Sequence, residues 1–224
     1  MIKDSLHETT IRRSNELCDW YEKQMKSVSY PIYSSYDIRD SGYKVTNVDA
    51  NIYPAGFNNI CPTDLDNISE LFERYLLQHY KSKPKRVLLL TEQHTNNPYY
   101  WDNVWTLLSA FREANIEIKP AFPSSVEKPI TIQSARGHLI EVLGADQKSE
   151  VWDSFKPELI ICNNDFSESF ENWASTNQVP MNPPREMGWY QRKKSRYFKH
   201  YNDLVNEFSK VADIDPFAMR VETE

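Results

Sequence analysis

Asp37, Arg39 and Asp40 stand together in the run Asp37-Ile-Arg-Asp-Ser-Gly-Tyr-Lys-Val, and Asp49, Asn51, Asn58 and Asn59 follow in Val48-Asp-Ala-Asn-Ile-Tyr-Pro-Ala-Gly-Phe-Asn-Asn. Carboxylates can hold an ammonium, a guanidinium can grip a carboxylate, and side-chain amides serve either. On a turn-rich segment that mixture suits recognition of a small zwitterion; the plain alternative is a surface hairpin followed by a loop. Two other polar clusters close runs that read as buried strands. Thr91-Glu-Gln-His-Thr-Asn-Asn presents Glu92 and His94, and Asn163-Asn-Asp presents Asn163, Asn164 and Asp165. Open parallel sheets bind ligands beyond the carboxyl ends of their strands. His94 is a candidate base or hydrogen-bond donor, or simply a solvated loop histidine. Glu92 either grips an ammonium or caps the helix that follows. A last cluster, Arg192, Lys193, Lys194, Arg196 and Lys199 with interleaved aromatics, reads as a solvated helix face, or as a contact for phosphate, carboxylate or acidic nucleic acid.

The elements that must position these groups can be read from periodicity. Residues from about Asp4 to Lys26 contain neither Gly nor Pro, and Leu6, Leu17, Trp20, Tyr21 and Met25 form a loose helical stripe. Asp40-Ser-Gly is a hairpin turn between strands near Tyr36–Arg39 and Tyr43–Val48, because Gly accepts positive φ. Thr63 is expected to cap a helix reaching His79, with Leu65, Ile68, Leu71, Phe72, Tyr75, Leu76 and Tyr80 on its apolar face. Arg86–Thr91 and Glu158–Cys162 are continuous apolar runs, the pattern of strands buried on both faces. A helix from Pro98 to about Ala114 joins the first of them to a strand at Ile116–Phe122, a β-α-β unit with parallel strands. Ile130–Ser134 and His138–Leu143 make a hairpin, Lys148–Phe155 a short helix, and Phe166–Ser175 another helix. Val179–Gly188, with Pro180, Pro183 and Pro184, reads as a linker. Phe198, Tyr201, Leu204, Val205, Phe208 and Val211 then mark an amphipathic helix to about Ala212, stopped by Asp215-Pro216.

The expected fold is α/β: a mostly parallel, Rossmann-like sheet with flanking helices, plus a β-hairpin and terminal amphipathic helices. We divide it into residues 1–180, a substrate-binding domain with its N-terminal helix, and residues 181–224, linker and basic helix. With 224 residues and 40% hydrophobic content the chain can bury a sizeable core. A net charge of −6 argues against a general nucleic-acid binder, which needs a basic face. Cys18, Cys61 and Cys162 are too scattered for zinc and odd in number, as in a reducing, cytoplasmic setting. No apolar run suggests a signal peptide or a membrane span. With five glycines and neither GxGxxG nor GxxxxGK[ST], the chain has no phosphate-cradling loop of a familiar kind.

Taken together, Asp37–Val45, Val48–Ile60, Glu92-Gln-His-Thr, Asn163-Asn-Asp-Phe-Ser, Gly188–Tyr201 and Ile214-Asp-Pro-Phe resemble the N-terminal half of the proteobacterial glutamate–cysteine ligase family. That family is similar to ATP-grasp ligases, in which an α/β (pre-ATP-grasp) domain precedes the lobe that holds ATP and magnesium. The resemblance implies phosphorylation of the glutamate side chain by ATP, then attack of the cysteine amine on the acyl phosphate. It also implies that the ATP and Mg sites belong mainly to a C-terminal lobe or partner subunit, so that the isolated chain is inactive. On side-chain chemistry, Arg39 is a candidate for a substrate carboxylate, and Asp37, Asp49 and Asp165 for an ammonium. Asn51, Asn58, Asn59, Asn163 and Asn164 are candidates for amide contacts, and Arg192 and Lys193 for the phosphoryl centre. A non-catalytic domain that binds an amino acid or small peptide through the same strand ends is the alternative.

Overall fold

The computed structural model describes residues 2–51, 56–93, 95, 97–165, 178–184, 187 and 193–222. The chain forms two compact units. One comprises Met1–Tyr30, Ser35–Asn51 and Gln191–Glu224; the other comprises Pro31–Ser34 and Ile52–Tyr190.

The first unit opens with α1 (Ile2–Arg12) and α2 (Ser14–Met25). The uninterrupted helix expected from Asp4 to Lys26 is therefore two, because Arg13 leaves helical geometry at φ −112° and ψ 28°. No Gly or Pro marks that break. Strands β1 (Ser35–Asp40) and β2 (Val45–Asn51) form the expected antiparallel hairpin. Its turn rests on Gly42 at φ +87°, whose N–H donates to Asp40 Oδ1 at 2.8 Å.

In the second unit, a 3-10 turn at Phe57–Asn59 precedes α3 (Pro62–Leu65) and α4 (Ile68–His79). The helix expected to run unbroken from Thr63 is interrupted at Asp66 and Asn67. Thr63 lies inside the short α3 rather than capping it: Cys61 takes the cap position and Pro62 the first turn, where a missing N–H costs nothing. Strand β3 (Arg86–Thr91), helix α5 (Pro98–Glu113) and strand β4 (Glu117–Phe122) form the parallel β-α-β unit. Then come the hairpin β5 (Ile130–Gln133) and β6 (Leu139–Gly144), the single turn α6 (Val151–Ser154), and β7 (Leu159–Asn163). The helix expected at Phe166–Ser175 lies outside the described residues. The proline-rich stretch expected as a linker supplies a strand, β8 (Met181–Asn182), parallel to β7. Prolines suit this sheet-edge position, and Pro180 contributes only its carbonyl, to Ile160 N–H at 2.8 Å.

Among the described residues the sheet order is β5-β6-β4-β3-β7-β8, parallel except for the β5–β6 pair. Leu88, Leu89 and Leu90 of β3 and Ile160 and Ile161 of β7 are fully buried, as continuous apolar strands require. Phe111 on α5 and Phe72 on α4 meet at 4.7 Å in the core. Where β6 ends, a Cβ on Gly144 would lie 2.6 Å from Val126 N and 3.1 Å from Ser124 O. Gly144→Ala is therefore expected to destabilise the protein by about 1–3 kcal/mol. An unchanged denaturation midpoint would contradict this close approach.

Helix α7 (Lys194–Ala212) completes the first unit and ends at Asp213, in the left-handed region at φ 57°. It packs on α2 through Trp20 against Phe208, edge to face at 5.7 Å. Among the described residues no helix is long and apolar enough to cross a membrane.

Candidate strand-end site

The chain moves from β3 to β4 on one side of the sheet and later returns to β7 on the other side of β3. Such a reversal is where open α/β sheets place their ligands, here at the carboxyl ends of β3 and β7. Thr91 and Asn163 are register partners there, so Glu92 follows one strand end while Asn164 and Asp165 follow its neighbour. Asp165 N–H donates to Glu92 Oε1 at 2.6 Å, and Asn164 Nδ2 donates to the Thr91 carbonyl at 2.9 Å. Two half-buried carboxylates thus sit at one paired strand end. Asn163 and Asn164 are buried, so they tie the strand ends together from within instead of facing solvent. Asn163 Oδ1 has no hydrogen-bond partner among the described residues.

Tyr100 holds this cluster from α5. Its hydroxyl accepts from Glu92 N–H at 2.8 Å and from Asn163 Nδ2 at 3.2 Å, and donates to the Asn163 carbonyl at 2.8 Å. Tyr33 donates to the Cys162 carbonyl at 2.9 Å, one residue earlier on the same strand. Burial pushes both phenols well above the usual tyrosine range. Cys162 and Tyr100 add to the effect at Tyr33; at Tyr100, the hydrogen bond from Glu92 N–H opposes it. The periodicity of α5 could place Tyr100 on an apolar face, but nothing in it announces the hydroxyl. Only the adjacency of two strand ends gives that hydroxyl its partners.

Asn58 and Asn59 lie on the 3-10 turn beside α5. Phe57 N–H donates to Asn103 Oδ1 at 2.9 Å, and Arg136 Nη2 reaches the Asn58 carbonyl at 3.4 Å. Phe57 fixes the turn by packing edge to face on Tyr33 at 5.1 Å and on Phe72 at 5.9 Å. Asn59 is exposed and Asn58 half-buried.

The other predicted residues belong to the first unit. Asp37 is exposed and sits directly across the ladder from Asp49, and Arg39 is exposed opposite Thr46. Like charges facing each other in a hairpin repel. Asp49 Oδ1 offsets this with Lys194 Nζ at 3.3 Å and Ala50 N–H at 3.1 Å. Asn51 ends β2 half-buried, and Lys193 is exposed at the cap of α7. Sequence reasoning missed the group that organises this side. Asn47 accepts from Tyr197 Oη at 2.8 Å, donates to the Asp49 carbonyl at 2.8 Å, and takes Tyr201 Oη on its own N–H at 3.3 Å. His94 and Arg192 fall outside the described residues.

The described residues gather no set of three or more His, Cys, Asp or Glu side chains able to hold a metal ion. Among the described residues there is thus no all-protein metal cage, whereas magnesium is commonly held by one or two carboxylates together with substrate phosphates. The half-buried carboxylates of Glu92 and Asp165, carried on neighbouring strand ends, suit an ammonium group, with buried amides and a buried phenol bracing the main chain that carries them.

A glutamate-cysteine ligase family model, GshA, matches residues 7–224. No match was found among curated protein sequences. A solved structure provisionally assigned as gamma-glutamylcysteine synthetase, from Methylobacillus flagellatus KT, superposes with a TM-score of 0.86 at 28% identity. The match covers 96% of this chain and 51% of that one, so the chain spans about half the length of this solved relative. With the family match running through nearly all of its length, the chain belongs to the GshA glutamate-cysteine ligase family.

Proposed function

We propose that this chain is the substrate-holding part of an ATP-dependent glutamate–cysteine ligase, which makes gamma-glutamylcysteine through an acyl phosphate on the way to glutathione. The observation that carries this reading is the meeting of two acidic residues at the β3–β7 switch point, where Asp165 N–H donates to the Glu92 carboxylate, a place suited to the ammonium of an amino-acid substrate. Family membership supports the reaction class, and the solved relative's greater length supports a further lobe. ATP and magnesium, which neutralise charge on a transferring phosphoryl group, belong mainly to that lobe or to a partner subunit. In the hairpin unit, Arg39 and Asp37 remain candidates for substrate, and Lys193 for phosphate. The working environment is the cytoplasm, and neither nucleic acid nor membrane is a partner.

The isolated 224 residues are expected to release no ADP from ATP and magnesium, with or without glutamate and cysteine. A full-length version should release ADP only when both amino acids are present. Turnover by the short chain would overturn the division of labour, and a folded full-length protein without ADP release would overturn the reaction. Calorimetry addresses the site itself. Glu92→Gln keeps a carbonyl to accept Asp165 N–H but removes the charge, and should weaken glutamate binding about tenfold, ~1.4 kcal/mol. Equal binding by the variant would remove Glu92 from the site.

A further inference from the structure

Strand β1 of the hairpin uses one of its two edges. At the turn Ser41 N–H donates to the Lys44 carbonyl at 2.9 Å, so by antiparallel alternation the main chains of Arg39 and Asp37 also face β2. The Asp37 carbonyl accepts from Asn47 Nδ2 at 3.4 Å on that side. The irregularity in the ladder lies in β2, where Val48 stands without a register partner between Asn47 and Asp49, and β1 itself alternates unbroken. The main chains of Ile38 and Asp40 therefore turn to the outer edge. No main-chain group pairs with them there among the described residues.

The side chains along this edge are equally uncovered. Ile38 is 66% exposed, and Asp37, Arg39 and Asp40 are exposed. Among the described residues neither the Asp37 carboxylate nor the Arg39 guanidinium has an ion-pair or hydrogen-bond partner, whereas Asp49, across the ladder from Asp37, is held by Lys194 at 3.3 Å. A two-stranded hairpin is marginal in water without a third strand or a helix to pack on. Strand β2 has its helix, through Asn47 and Tyr197 at 2.8 Å, but no third strand pairs with β1. Charges on an exposed edge ordinarily discourage pairing. Here their signs alternate along one face, with Asp37 and Arg39 on that face and Ile38 between them on the other.

We propose that the outer edge of β1 is an interface between two copies of this chain, which pair their β1 strands antiparallel about a twofold axis centred on Ile38. Such self-complementary pairing requires outward-facing main chains to meet outward-facing main chains, so few registers are open. With Ile38 opposite the partner's Ile38, Asp37 meets the partner's Arg39 and Arg39 meets the partner's Asp37. Those are non-hydrogen-bonded positions, where cross-strand side chains come closest. Sliding the strands by two residues in either direction sets Asp37 against Asp37 or Arg39 against Arg39, and the repulsion rejects those registers. The result is one four-stranded antiparallel sheet, in the order β2-β1-β1-β2, with the two Ile38 residues hydrogen-bonded at its centre. The interface offers Asp37 and Arg39 a use other than substrate contact, and it does not depend on the ligase reading.

Sedimentation equilibrium of the chain across the micromolar range tests it, and the parent is expected to dimerise reversibly. Ile38→Pro removes the central N–H from the outer edge while sparing the ladder to β2, and should abolish the dimer. Asp37→Arg and Arg39→Asp each bring like charges together on both sides of the axis, and should weaken the dimer about tenfold or more. The double swap, Asp37→Arg with Arg39→Asp, re-creates both opposite-charge pairs and should restore the parent's affinity to within about threefold. All three positions are exposed, and matching melting curves would confirm that the variants fold. A parent that stays monomeric up to about 1 mM would overturn the proposal. So would a dimer indifferent to Ile38→Pro or to both single charge reversals, or reversals that the double swap does not rescue.

Discussion

Tyr100→Phe is expected to lower the unfolding midpoint sharply while leaving the shape of the core intact. The ring packs edge to face on Trp101 at 5.3 Å, and phenylalanine preserves that ring. What disappears is one oxygen with three partners: Glu92 N–H, Asn163 Nδ2 and the Asn163 carbonyl. Each buried polar group left without a partner costs about 1–3 kcal/mol. Water can recover part of that at Glu92, which is half-buried, but Asn163 is fully buried and its Oδ1 already has no partner among the described residues. A net loss of about 2–4 kcal/mol follows, equivalent to a midpoint shift on the order of 5–15 °C for a chain of this size. Tyr99→Phe is the control, since Tyr99 is 63% exposed one position earlier and should melt like the parent. Glutamate affinity should also fall in Tyr100→Phe, because the hydroxyl fixes the main chain that carries Glu92. If both variants melt like the parent, the hydroxyl is not what joins the two strand ends.

The contrast between Tyr100 and its neighbours shows what a sequence can announce. Arg86–Thr91 and Glu158–Cys162 were legible as buried strands, the second shifted by one residue to Leu159–Asn163, because apolarity on both faces has one physical solution, a covered parallel sheet. The Asp40-Ser-Gly turn was legible because Gly42 requires positive φ. Strand β8 was not, since two residues among prolines carry no period. Its place is set by Asn182, whose side chain accepts from Ile32 N–H at 2.9 Å and donates to Tyr75 and Tyr80 hydroxyls, partners distant in sequence. The breaks at Arg13 and Asn67 were equally silent, because neither needs Gly or Pro. In the candidate site, polarity at Glu92 and Asn163–Asp165 was visible, but burial was not. Asn163 and Asn164 looked like ligand-facing amides, yet they fold inward onto Tyr100 and Thr91. Polar residues at a strand end can face a ligand or brace the end, and composition does not separate these uses. The family was legible from the long motif around Asp49–Asn59, independently of any of this.

Alkaline unfolding offers the second large effect, since two fully buried phenols resist ionisation in the folded state. Burial raises Tyr33 and Tyr100 well above their unfolded value near 10. Below that pH both states keep the proton, and the shift contributes fully to stability. As pH rises past about 10, the unfolded chain releases these protons while the folded chain retains them, so stability falls until the folded pKa is reached. Each such phenol steepens the loss by about 1.4 kcal/mol per pH unit, and the pair by about 3 kcal/mol. Tyr80, raised by burial and partly offset by its hydrogen bond to Asn182, adds to the slope in the same direction. Denaturant midpoints taken between pH 9 and pH 11.5 should therefore drop steeply in the parent. In Tyr33→Phe and Tyr100→Phe the slope should be shallower by about one proton each, even though both variants start from lower stability. Lysine deprotonation, common to all three proteins, cancels in that comparison. Identical slopes in all three would show that the phenols ionise as readily inside the fold as outside it, which their burial beneath the β7 strand end does not permit.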